Sequence, residues 1–128
     1  MKNTDIYKGA MRILSEQIDL DSNEDYQERA PYFIAAFCDE NRDIDVAYRK
    51  ANSLPEAPEV NAVCIELSED FPCAPRFSSA CCMYLAAMLV IDEHGELSDK
   101  LYDKYSDMMS IITSGIPSFV EKISDRYI

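Results

Sequence analysis

The side chains of this chain best suited to chemistry are five cysteines, one histidine and a run of closely spaced acidic and amide groups. That run, Asp19-Leu20-Asp21-Ser22-Asn23-Glu24-Asp25, is like the opening of a calcium loop, with oxygen ligands at alternate positions. The likeness then stops. Glu24 stands where the glycine of the sharp turn belongs, and Ala30 where the closing carboxylate belongs. The segment reads as a solvated turn whose carboxylates cap the next helix, and no metal ligand is assigned.

The cysteines are Cys38, Cys64, Cys73, Cys81 and Cys82, with no C-x-x-C pair and no zinc-like spacing. On a helix the adjacent Cys81 and Cys82 point about 100° apart. Nucleophilic thiol chemistry needs a neighbouring base. The single histidine, His94, falls about three turns beyond Cys82, roughly 18 Å along a straight helix. The thiols therefore read as buried packing groups. His94 reads as a helix C-terminal residue, where a positive ring is favoured. Three isolated glycines cannot build a phosphate-cradling loop. The acidic pairs Asp39/Glu40 and Asp92/Glu93 are sequence neighbours, with no sign of the separate environments that acid–base chemistry needs. No catalytic residue, cofactor-binding residue or metal ligand is assigned, and the chain is read as not an enzyme.

What must carry these groups is a set of helices around Ser78–Asp92, SSACCMYLAAMLVID. From Ala80 to Ile91 it holds no charge. It is shorter than the roughly 20 apolar residues a membrane span needs. A helix apolar on every side has to be covered on every side. It is predicted as the buried central helix, about residues 76–94, of a small all-α bundle of about four helices. Residues 4–19 carry an apolar stripe (Ile6, Ala10, Ile13, Leu14, Ile18) opposite charged residues, and Asn3 or Thr4 is placed to cap the start. A second helix is expected over 24–39, kinked at Pro31 because its stripe keeps phase across the proline. Residues 40–53 have the spacing of a short helix. An irregular or extended segment at about 52–74 follows, opened by Pro55 and Pro58. Within it Val63, Ile65 and Leu67 alternate with Cys64 and Glu66 and have no partner strand. Gly95 is expected to end the central helix. Leu97, Leu101, Tyr105, Met108 and Ile112 define a last helix over 97–113, antiparallel to the central one. The tail 116–128, with few partners of its own, carries Phe119, Val120, Ile123 and Tyr127.

With 128 residues and 48% hydrophobic side chains the chain suits one helical domain. Its net charge of -12 disfavours tight binding to nucleic-acid phosphates and to anionic membrane surfaces, and favours solubility or a basic partner. The opening MKNTDIYKGAMRIL lacks an apolar signal core, so reduced thiols and synthesis in the cytoplasm are expected.

Five stretches, in order, resemble the small helical head–tail connector (adaptor) proteins of long-tailed bacteriophages and prophages. They are DYQERAPYFIAAFCDE (25–40), LSEDFPC (67–73), SACCMYLAAMLVIDE (79–93), LYDKYSDMM (101–109) and GIPSFVEKISDRYI (115–128), about half of the chain. Cys73, where a larger aliphatic residue is expected, and the proline-rich 54–58 insert depart from the pattern. The resemblance implies a non-enzymatic virion protein without a cofactor, made in the bacterial cytoplasm. It implies a homo-oligomeric ring on the portal protein, contacts to a tail-completion protein, and DNA that passes without tight binding. The unpaired segment and the apolar tail are then the interface candidates: Val63, Ile65, Leu67, Phe119, Val120, Ile123 and Tyr127. The alternative is a cytosolic acidic helical adaptor or regulatory protein that binds a basic protein partner.

Overall fold

The computed structural model describes residues 1–20 and 24–116. Among these the chain is all-helical: α1 (Asn3–Ser15), α2 (Glu24–Glu40), α3 (Arg42–Ala51), a 3-10 turn (Pro75–Phe77), α4 (Ser78–Leu89) and α5 (Gly95–Ser114). No helix among the described residues is long and apolar enough to cross a membrane. The buried residues form one contiguous core.

α4 is the centre of that core. Ala80, Cys81, Tyr84, Leu85, Ala86, Ala87 and Leu89 are all buried, so the burial runs right round the helix. α1, α2 and α5 each pack on it. Pro75 begins the 3-10 turn that leads into it, where a proline loses no helical hydrogen bond. The small side chains set how closely the neighbours approach. Gly9 on α1 lies directly over Cys82: a Cβ added at Gly9 would stand 2.6 Å from Cys82 Sγ. Helix propensity alone favours alanine over glycine here by about 1 kcal/mol, and the contact reverses that sign. Gly9→Ala is expected to lower stability by about 1–2 kcal/mol through overpacking. Adding Cys82→Ala should recover the loss, which a double-mutant cycle by urea unfolding reads directly.

α1 buries Ile6, Ala10 and Leu14 as the stripe requires, with Ile13 and Ile18 half-buried beside them. Its first turn differs from expectation. Asn3 and Thr4 are inside the helix, and the Lys2 N–H is taken by Asp5 Oδ2 at 3.0 Å. The Asn3 and Thr4 N–H groups instead donate to the carbonyls of Glu69 and Leu67. Their side chains donate to Glu66 and Leu67 carbonyls at 3.0 and 2.8 Å. A distant stretch of chain thus completes the cap that local Asp5 begins.

α2 runs unbroken through Pro31. Proline cannot donate to the carbonyl of Gln27, and the Pro31 carbonyl receives the Ile65 N–H at 3.1 Å. α3 is the short helix expected in the charged stretch, with Asp45 buried on its inner side.

The connection between α4 and α5 corrects the reading of Gly95. α4 stops at Leu89; residues 90–93 form a turn closed by His94 N–H on the Val90 carbonyl, and Gly95 opens α5. Gly95 has no positive φ. His94 is therefore the N-cap of α5 and not the end of α4. Charge explains the choice. Carried on to residue 94, α4 would put Asp92 and Glu93 at its negative end, whereas here they precede the positive end of α5. α5 buries Leu101, Tyr105, Met109 and Ile112, and the Ser98 hydroxyl donates to the Ala87 carbonyl at 2.8 Å.

Candidate interaction surface

Residues 52–74 form a strap with no regular strand, drawn across α2 and α3. Four anchors hold it. Ser53 takes a left-handed turn with φ 55°, and the Leu54 N–H returns to the Arg49 carbonyl. Ile65 bonds to Pro31, and its side chain is only 1% exposed. Residues 66–71 run beside the start of α1, with the Phe71 N–H on the Met1 carbonyl and a surface ion pair between Lys2 and Asp70 at 2.8 Å.

The fourth anchor is the one buried among the salt bridges of the described residues. Asp45 Oδ2 accepts from Arg49 Nε at 3.1 Å, with the two side chains 5% and 13% exposed. Asp45 Oδ1 accepts the Ala74 N–H at 2.9 Å. Arg49 Nη1 and Nη2 donate to the carbonyls of Pro55 and Pro72, each at 2.9 Å. One guanidinium thus joins both ends of the strap to α3, a geometry for which its planar fork is suited.

Arg29 does similar work elsewhere. It donates to the carbonyls of Leu89 and Met88 at 3.3 and 3.5 Å, so a cation on α2 caps the negative end of α4. The Tyr26 hydroxyl donates to Glu93 at 3.2 Å beside it. Asn41, buried after α2, donates to the Phe37 carbonyl and the Tyr105 hydroxyl, each at 3.0 Å. None of these roles was read from sequence. A charged or amide residue at helical spacing looks like a surface residue until the chain that covers it is known.

The predicted interface residues separate into three groups. Val63 is an exposed apolar side chain at 68%. Leu67 is half-buried against the core. Ile65 belongs to the core itself, which corrects its assignment as a contact residue: the strap is not a strand, so the alternation does not put Val63, Ile65 and Leu67 on one face. Phe119, Val120, Ile123 and Tyr127 lie outside the described residues, as do Asp21, Ser22 and Asn23 of the calcium-like run.

Two open grooves border the strap. One, about 1000 Å³, lies between the first half of α2 and residues 64–68, with Gln27, Tyr32, Cys64 and Glu66 in its walls. Tyr32 is 55% exposed. The other, about 570 Å³, lies between α3 and residues 54–60, where Val46 and Leu54 sit among Arg42, Lys50 and Glu59. Charges of both signs mix in each. Along the outer side of α5, Glu96, Asp99, Asp103 and Asp107 are exposed.

Among the described residues no three His, Cys, Asp or Glu side chains gather in a way that could hold a metal ion. Burial pushes the Cys81 thiol well up and Cys82 to about 11. The hydrogen bond to Cys38, then burial, then the nearby Asp45 charge raise Cys73. Such thiols stay protonated and react slowly. By their exposure to so bulky a reagent, half-buried Cys64 and Cys82 should label with a maleimide in the native protein, Cys82 more slowly, and buried Cys38, Cys73 and Cys81 only on unfolding, as timed peptide mapping would show. The same shifts make stability depend on pH. Well below pH 9 Cys81 and Cys82 are protonated whether folded or unfolded. Above it the unfolded chain loses thiol protons that the folded chain keeps, so stability falls as pH rises towards 11. Burial of Tyr84, raised to about 12, extends the fall. Urea midpoints at pH 8 and 10 measure it.

Neither protein-family models, nor curated proteins, nor solved structures yield a match to this chain.

Proposed function

We propose that this chain is a head–tail connector of a tailed bacteriophage or prophage. It assembles as a ring on the portal protein, presents a docking surface to a tail-completion protein, and lets DNA pass an acidic wall without gripping it. The observation that supports this reading best is the division of apolar residues. The apolar helix α4 is covered from within the chain, while isolated apolar side chains, Tyr32 and Val63 foremost, face outward where the strap crosses α2. Closed rings need one patch that meets a different patch on the next copy. Grooves along a strap suit that use. The carboxylates on the outer side of α5 suit either a channel wall or, in the adaptor reading, a basic protein partner.

Native mass spectrometry, on the protein alone and mixed with a phage portal protein, tests the proposal. The expected result is a closed ring, alone or on the portal, that Val63→Asp disrupts without lowering the melting temperature. A protein that stays monomeric with the portal and captures a basic peptide through Glu96, Asp103 and Asp107 would favour the adaptor instead.

A further inference from the structure

Cys38, in the last turn of α2, and Cys73, at the end of the strap, are 35 residues apart in sequence, yet their sulfurs are 3.5 Å apart. Both are buried, at 7% and 6% exposure. The backbone on either side of Cys73 is fastened: the Pro72 carbonyl accepts from Arg49, and the Ala74 N–H donates to Asp45. The pair is therefore held in place rather than brought together by chance collisions. A disulfide needs an S–S distance of about 2.05 Å, so the sulfurs must close by roughly 1.5 Å. A crevice of about 40 Å³ is lined by both cysteines together with Ala35, Asp39, Pro58 and Pro72. A water needs about 10–15 Å³ of such space. The crevice has room for a molecule of hydrogen peroxide and none for a glutathione-sized disulfide.

We propose that Cys38 and Cys73 are an oxidative modification site, at which a small peroxide converts the two thiols to an intramolecular disulfide that locks the strap to α2. One sulfur attacks a peroxide oxygen as its proton leaves; the O–O bond breaks, water departs, and that sulfur carries a hydroxyl. The second sulfur then attacks the first. The S–S bond forms, the S–O bond breaks, and the hydroxide leaves with the second thiol's proton as another water. Two thiols give up two electrons, one peroxide accepts them, and two waters result. The shielding that slows these thiols also keeps the sulfenic intermediate facing its partner and away from bulk oxidant.

The test is to expose the native protein to millimolar hydrogen peroxide, quench, and map peptides without reduction. The expected product has lost about 2 Da, has three titratable thiols in place of the five now free, and links the peptides of Cys38 and Cys73. Closing this loop should raise the melting temperature by on the order of 10 °C, and dithiothreitol should return it. Cys38→Ser should show neither the mass loss nor the thermal shift. Disulfides through Cys64 or Cys82 in its place, addition of oxygen atoms at Cys38 or Cys73, or survival of both thiols would each overturn the proposal.

Discussion

Arg49→Ala will destabilise the fold by about 3–5 kcal/mol, the loss typical of a buried ion pair stripped of one partner. In the wild type the Asp45 carboxylate is nearly inaccessible and its two oxygens are matched by Arg49 and by the Ala74 N–H. Without the guanidinium that buried carboxylate loses its counter-charge and one of its two donors. The carbonyls of Pro55 and Pro72 lose their donor at the same moment. Arg49→Lys keeps a positive charge but cannot serve a carboxylate and two carbonyls together, so it should fall between wild type and alanine. Because the partners act as a unit, Asp45→Ala with Arg49→Ala should cost clearly less than the sum of the two single losses. Urea unfolding checks the series. A loss below about 1 kcal/mol for Arg49→Ala would place the pair with ordinary surface salt bridges.

Phe37→Ala will cost a similar amount, about 3–5 kcal/mol. Phe37 is fully buried on α2. Its ring centre lies 5.7 Å from Tyr84 on α4, 5.9 Å from Tyr105 on α5 and 6.5 Å from Phe71 on the strap. One side chain on α2 thus meets α4, α5 and the strap. Tilted and edge-on aromatic pairs contribute about 0.5–1.5 kcal/mol each beyond their buried area. Phe37→Leu keeps most of the volume and forfeits the ring contacts, so it should lose only about 1–1.5 kcal/mol. Thermal unfolding followed by near-ultraviolet circular dichroism reads both stability and the packing of the two tyrosines and one phenylalanine around it.

The helices were legible in the sequence because each rests on a local period. The charge-free run from Ala80 to Ile91 has one physical solution, burial on all sides, and α4 adopts it. The stripe through Leu101, Tyr105 and Ile112 faces α4, as its spacing requires. The stripe across Pro31 correctly outweighed the proline. What could not be read is what depends on chain brought from far away. Gly95 obeys a local stop rule in sequence, but dipole and charge at residues 92–96 made it a start. Asp45 and Arg49 have the spacing of an exposed helix pair, and only the strap passing over them turns them into a buried clamp. Ile65 looked like one member of an alternating set; one hydrogen bond to the Pro31 carbonyl turned it inward. Cys38 and Cys73 are unrelated in sequence and adjacent in space. The interface assignments were the least legible, because Val63 and Ile65 are told apart by burial and not by residue type.

The docking surfaces exist only if α4 is core and the strap is surface. Amide hydrogen exchange in increasing urea measures that division residue by residue. The amides of Ala80–Leu89 should exchange only through global unfolding, with a protection free energy equal to that from urea denaturation. Residues 56–63 should exchange through small local openings that urea hardly affects. Fast, urea-independent exchange along α4 would mean that the apolar helix is itself an open surface, which contradicts both the architecture and the connector proposal.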